Sequence, residues 1–151
     1  MMKSKRTAIL EAATWLFSSK GFREASTTDL AQMTGSAEGT VFYHFESKEK
    51  LFLAVLDEVR AKIDAAISEF MPTTSGKAGI DILEEVVAFY LQLAADNEAE
   101  FMLLHRHHAY DLAKVNEECR NLLEGIYNQI IRVFEHAIQS GQEDGSMGKN
   151  P

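Results

Sequence analysis

The strongest constraint on this chain is how often its helices are told to start and stop. In "STTDLAQMTGSAEGTVFYHFESKEKLF", residues 26–52, capping residues and breakers recur about every ten residues. Ser26 and Asp29 form the S-x-x-D pattern of a capping box, and Gly35 ends a helix of about eight residues. Ser36 is placed to cap a third short helix running to Phe45, and Ser47 a fourth. Before them, Ile9, Ala13, Leu16 and Phe17 keep a 3.6-residue period, which predicts a first helix from Lys5 to Lys20 stopped by Gly21.

Residues 26–45 therefore have the proportions of a helix-turn-helix, with "TGS" as the turn. A recognition helix presents only its N-terminal turns to a major groove, so two turns suffice. Phe42 and Phe45 are expected to enter a small core with Trp15, Phe17 and Leu30. Thr40, Tyr43 and His44 are left to face outward as hydrogen-bond donors to phosphate, and Lys48 adds a point charge at the next helix start.

Beyond this head the chain still reads as all-α. Leu51, Phe52, Val55, Leu56, Val59, Ile63, Ile67 and Phe70 continue one apolar stripe along a connecting helix over residues 47–70. "MPTTSGKAG" is the linker-like stretch, placing a linker at 71–75 between a 1–46 head and a 76–140 body. The body is expected to hold "IDILEEVVAFYLQLAA", a helix "AEFMLLHRHHAY" behind an Asn97/Glu100 cap, and a long helix from Asp111 to Ser140. That last helix should turn Val115, Leu122, Ile126, Ile130, Val133, Phe134 and Ile138 inward. Residues 141–151, "GQEDGSMGKNP", read as a flexible tail.

The net charge of −8 argues against wholesale nucleic-acid binding, but the charge is unevenly spread. Residues 1–50 hold seven Lys/Arg and six Asp/Glu, whereas 51–151 hold eight and seventeen. A DNA-contacting head on an acidic body is compatible with that split, because phosphate contacts need only a local positive face. An acidic protein with no such role is equally compatible. No apolar run reaches membrane-spanning length. The basic-then-apolar start "MMKSKRTAILEAATWLF" is broken by Glu11 and keeps helical spacing, so it reads as structure rather than a signal peptide, and a cytoplasmic location is expected. Cys119 is the single cysteine and excludes an internal disulfide.

The head closely resembles that of the TetR/AcrR family of transcriptional regulators. The Thr-Thr helix start, the G-S-x-x-G-T turn, the Y-H-F ending and the S-K-E-x-L-F start of the fourth helix agree in order and spacing over residues 5–56. The resemblance implies a helical ligand-binding and dimerisation body, and a homodimer, most often a repressor, on a near-palindromic double-stranded DNA operator. A small apolar or amphipathic effector in the body would release it. Thr27, Thr28, Ser36, Ala37, Glu38, Thr40, Tyr43, His44 and Lys48 become the expected DNA-binding residues. Among these, Thr28, Tyr43, His44 and Lys48 match phosphate-contacting positions, and Ala37 and Thr40 lie near base edges. Glu38 stands where the family often has a basic or small residue; it repels phosphate but can accept from a cytosine amino group. With no Arg or Lys in 37–45, specificity is expected to lean on thymine methyls, water and DNA shape. Family chains usually continue into two further helices that pair between subunits, so the stop at Pro151 implies a truncated body or a different mode of dimerisation.

Phe89, Phe101, His105, His108 and Tyr127 are the candidate effector-pocket residues, the aromatic ones reading first as ordinary core. His105 and His108, three apart, could also ligate metal, but "HRHH" carries no second chelating pair, so no metal and no cofactor are expected. Cys119 reads as a small buried hydrophobe. Lys3, Lys5 and Arg6 are either a solvated terminus or a minor-groove arm. Nothing supports catalysis: there is no Gly-rich phosphate loop, no nucleophile elbow and no framed carboxylate pair. The competing reading is a helical protein-interaction module without DNA binding.

Overall fold

The computed structural model describes residues 2–148, and among these the regular elements are all helical. They are α1 (Lys5–Ser19), α2 (Thr27–Thr34), α3 (Glu38–Phe45), α4 (Lys48–Phe70), α5 (Gly79–Asp96), α6 (Glu98–Leu104), α7 (His107–Val115) and α8 (Glu117–Asp144), with a single 3-10 turn at Met71–Thr74. No helix among the described residues is long and apolar enough to cross a membrane.

Helices of eight residues, such as α2 and α3, do not persist alone. Local caps and burial hold them here. Ser26 Oγ accepts the Asp29 N–H at 3.0 Å, and Gly35, at φ 62, closes α2 while the Ser36 N–H reaches back to the Ala31 carbonyl. Ser47 Oγ accepts the Lys50 N–H to start α4. Ser36 does not cap α3: the cap position falls to Ala37, which offers no side-chain oxygen, and the Ser36 hydroxyl is buried without a partner.

The chain forms two compact units. One gathers the chain up to Val59 together with Glu98–Leu123; the other gathers Arg60–Asn97 together with the chain from Glu124 onward. The division thus falls inside α4 and α8, not at residues 71–75. The expected linker is instead an ordered turn of the second unit, with Thr74 buried and its hydroxyl donating to the Met71 carbonyl.

In the first unit, α1 packs against α2 and α6, and α2 against α3. Ile9, Ala13, Leu16, Phe17, Leu30, Val41, Phe45, Leu51 and Phe52 form its interior. Two expectations fail here. Trp15 is 54% exposed and Phe42 45% exposed. On α3, Val41 and Phe45 are one turn apart and claim the inward face, which leaves the neighbouring Phe42 turned out.

The expected second and third body helices are also redrawn. Asn97 stands directly before α6, which starts at Glu98 as expected, and its side-chain N–H also donates back to the Leu93 carbonyl and closes α5. The run to Tyr110 breaks at His105–Arg106, and a second break falls at Asn116. Asn116 Oδ1 accepts the Cys119 N–H, capping α8, while its Nδ2 donates to Glu49. Val115, the last residue of α7, is 84% exposed, and Ile138 yields the inward position to Ala137. Cys119 is buried and its thiol donates to the Ala109 carbonyl; burial, then Glu49 and Glu118, push its pKa up to about 11.

The second unit is centred on Ile82, Val86, Val133 and Ala137, with Ile67, Phe70, Met71, Leu83 and Phe134 around them. The segment expected to be a flexible tail is helical to Asp144 and then folds back. Asp144 Oδ2 accepts the Gly79 N–H at 2.7 Å and Ser146 Oγ accepts the Ile80 N–H, so residues far along the chain cap α5, whose own Ala78 cannot. Residues 149–151 of that tail lie outside the described residues. At this joint a Cβ on Gly79 would stand 1.9 Å from the Gly141 backbone nitrogen, whereas the nearest atoms to a Cβ on Gly141 belong to the Met147 side chain. Gly79→Ala should therefore lower stability by about 2–3 kcal/mol. Gly141→Ala should cost under about 1 kcal/mol, since Met147 can move aside. Urea denaturation of the two variants beside the wild type checks the order.

Candidate nucleic-acid interface

The site residues expected on α2, α3 and the start of α4 share the first unit. Tyr43 is 83% exposed, Ala37 and Glu38 are exposed, and Thr40 and His44 are half-buried. Tyr43 and His44 meet edge to face with ring centroids 5.3 Å apart, which steadies two donors side by side at the end of α3. α3 carries Glu38 in its first turn and His44 in its last.

Not every expected donor is free. Thr28 Oγ1 donates to Glu38 Oε1 across the turn. Lys48 Nζ donates to the Arg23 carbonyl at 3.3 Å and lies 4.5 Å from the Phe22 ring centroid. Partial burial lowers the Lys48 pKa, and Glu24 opposes that shift. The basic N-terminal residues are likewise engaged: Lys3 pairs with Glu11 at 2.8 Å, and the Arg6 guanidinium lies 5.2 Å from the Phe45 centroid.

Behind Lys48 stands a group that the sequence pattern did not place. Phe22 lies flat on His108, with centroids 3.8 Å apart and planes 6° apart, and Phe52 meets both rings edge on. Arg106 Nε and Nη2 donate to the carbonyls of Ser18 and Ser19, the open end of α1. Phe22, Arg106 and His108 line one side or the other of a cleft of ≈ 740 Å³, with Lys20, Arg23, His105 and Asp111 also on its walls.

The candidate effector residues are thereby separated. His105 and His108 do not share a helix face: His105 lies beyond the end of α6 and His108 on α7, both in the first unit. Phe89 belongs to the second, in an apolar slot with Ile67, Val86, Tyr90, Leu93, Ile130, Val133 and Phe134 and only ≈ 10 Å³ of free space. Phe101 falls in the first unit and Tyr127 in the second.

A two-helix reading head on an all-helical frame defines a helix-turn-helix regulator. Residues 9–55 match the family model for bacterial regulatory proteins, tetR family. The chain is 30% identical over 148 residues to the uncharacterized HTH-type transcriptional regulator YfiR of Bacillus subtilis, covering 95% of this chain and 68% of that protein. It is 27% identical to the HTH-type transcriptional repressor KstR2 of Rhodococcus jostii, covering 94% and 67%. The crystal structure of the regulator FadR from Bacillus subtilis, in complex with stearoyl-CoA, superposes with a TM-score of 0.69 at 17% identity, covering 96% of this chain and 75% of that one. This chain belongs to the tetR family of bacterial transcriptional regulators, proteins that bind DNA.

His108 offers a check on the packing behind the interface. Burial first, then the positive charge of Lys48, lowers its pKa, with Asp111 and Glu49 opposing. The folded chain therefore holds fewer protons than the unfolded chain between that lowered value and the ordinary one near 6.5. Stability from this residue is present above about pH 6.5 and is lost as pH falls through the window. His108→Phe keeps a flat ring on Phe22 and should shrink the drop in melting temperature between about pH 7.5 and about pH 5.5. Thermal melts of both proteins at the two pH values measure it.

Proposed function

We propose that this protein is a ligand-responsive repressor that binds a near-palindromic operator as a homodimer, with α3 in the major groove. The observation that carries the reading is the exposed N-terminal half and outer edge of α3, where Ala37, Glu38 and Tyr43 stand clear of the core that Val41 and Phe45 close, with Thr40 half-buried between them. Thr27, Tyr43, His44 and Lys48 serve the phosphate backbone, and Ala37 and Thr40 meet base edges, whereas the buried Ser36 hydroxyl is turned away from them. With no Arg or Lys between 37 and 45, bidentate guanine readout from α3 is unavailable, which favours water, methyl and shape readout.

The effector proposed for the second unit is apolar or amphipathic. The Phe89 slot is lined by hydrocarbon and aromatic rings, and it shares Ile67 and Val133 with a more polar cavity of ≈ 220 Å³ walled by Asp64, Gln129 and Arg132. A ligand with an apolar body and a polar head suits such a pair, and the slot must open to admit it. The stearoyl-CoA bound by FadR is an amphipathic molecule of that kind. α4 and α8 each belong to both units as unbroken helices, giving a covalent route for a shift at the slot to reach Lys48. Homodimerisation is supported by apolar side chains left exposed on the second unit: Ile80, Val87 and Leu91 on α5, and Ile131 and Ile138 on α8.

Selection from a random duplex pool at a stated salt concentration tests this reading. The expected product is an inverted repeat, with half-sites about one helical turn apart. A pool without enrichment at low salt would overturn it. On the selected duplex, Tyr43→Ala should weaken binding to all sequences alike. Lys48→Ala should lower the slope of log affinity against log salt by about one unit. Thr40→Ala should change the preferred base at one position, as read by competition with single-base variants.

A further inference from the structure

The hydrogen bond between Thr28 and Glu38 joins two residues that would otherwise each face DNA alone. Thr28 has one hydroxyl proton, and it points at the Glu38 carboxylate rather than outward. Glu38 is the first residue of α3, at the end that the helix-turn-helix reading sets into the groove. Ala37 supplies no side-chain cap, and Glu38 is the acidic residue of the first turn, where the helix dipole favours negative charge. No Lys or Arg between 37 and 45 is present to neutralise it. Glu38 is therefore held by the Thr28 hydroxyl, at a helix terminus that favours its charge, while remaining exposed.

An ionised carboxylate accepts hydrogen bonds and donates none. Against a base edge it finds a partner in the cytosine N4 amino group. It is repelled by guanine, whose O6 and N7 are both acceptors, and by thymine O4. Adenine offers N6 but sets the N7 acceptor beside it, which leaves cytosine as the best match. The same charge repels phosphate, so it weakens binding wherever that base contact is missing.

We propose that Glu38 is a base-discriminating residue selecting cytosine at one position of each half-site, and that Thr28 is a positioning residue that holds its carboxylate on register instead of gripping phosphate. This rests on the operator-binding reading, and it assigns the acidic departure in the recognition helix a selective role.

Parallel selections from one random duplex pool, with wild type, Glu38→Gln and Thr28→Val, test it. Both substitutions preserve shape at exposed positions, and melting temperatures confirm that each variant folds. The wild type is expected to enrich cytosine at one half-site position. Glu38→Gln adds a donor beside the acceptor, the pairing that suits adenine N6 and N7, so the cytosine-to-adenine affinity ratio should fall about tenfold. Its affinity for unselected duplex should rise as a negative charge leaves the interface. Thr28→Val keeps the charge and frees its position. The cytosine preference should weaken about threefold without moving to adenine. Identical selected half-sites for wild type and Glu38→Gln would overturn the proposal while leaving operator binding intact. A Thr28→Val pool matching the wild type would overturn the positioning role. Failure of the wild type to enrich any sequence would overturn the operator reading and this proposal together.

Discussion

Much of the first unit depends on one guanidinium. Arg106 reaches the carbonyls of Ser18 and Ser19 at 2.7 and 2.8 Å, where α1 has run out of its own donors. To do so its backbone leaves the helical region, at φ −80 and ψ 143, which ends α6 and starts α7 one residue later. The turn it faces is tight: Gly21, at φ 88, would place a Cβ 3.2 Å from Arg106 Nη1, so both the conformation and the space call for glycine. With that turn pinned, Phe22 lies on His108 and the Lys48 ammonium sits by the same ring.

The surface proposed to face DNA inherits this order. Lys48 begins α4 held between the Arg23 carbonyl and the Phe22 ring, so the residues behind the interface influence where its charge stands. A positioned ammonium loses less side-chain entropy on meeting a phosphate than a free one, which favours binding when the packing is intact and weakens it when the packing shifts. Thr28 and Glu38 hold each other in the same way, on the side proposed to enter the groove. The interface is thus built from few charges held in place, consistent with a chain whose first fifty residues are almost electrically balanced.

The head was the most legible part of the molecule because its signals are local. Ser26, Gly35 and Ser47 end and begin helices through contacts made within a few residues, and each acts where the pattern put it. The family resemblance rests on the same stretch. The expectations that failed were those needing distant information. Trp15 and Phe42 look like core by size, yet the inward faces of their helices are taken by Leu16 and Phe17 and by Val41 and Phe45. His105 and His108 look like one helical pair, and nothing near Arg106 in the sequence marks the break between them. The start of α8 was readable and missed: Asn116 followed by two glutamates is an N-cap with an acidic first turn.

By itself the sequence determined an all-helical chain, the lengths of its first four helices and a reading head bearing hydroxyl, phenol and imidazole groups, because caps and 3.6-residue periodicity are set by neighbours along the chain. Only the tertiary structure decided that residues 98–123 pack with the head, that Asp144 and Ser146 cap α5, and that the expected pocket residues fall in separate units. Those outcomes depend on which open carbonyls and N–H groups find a partner some 65 to 88 residues away. Hydrogen bonds of that reach leave no periodic trace, and they form only once the helices around them have packed.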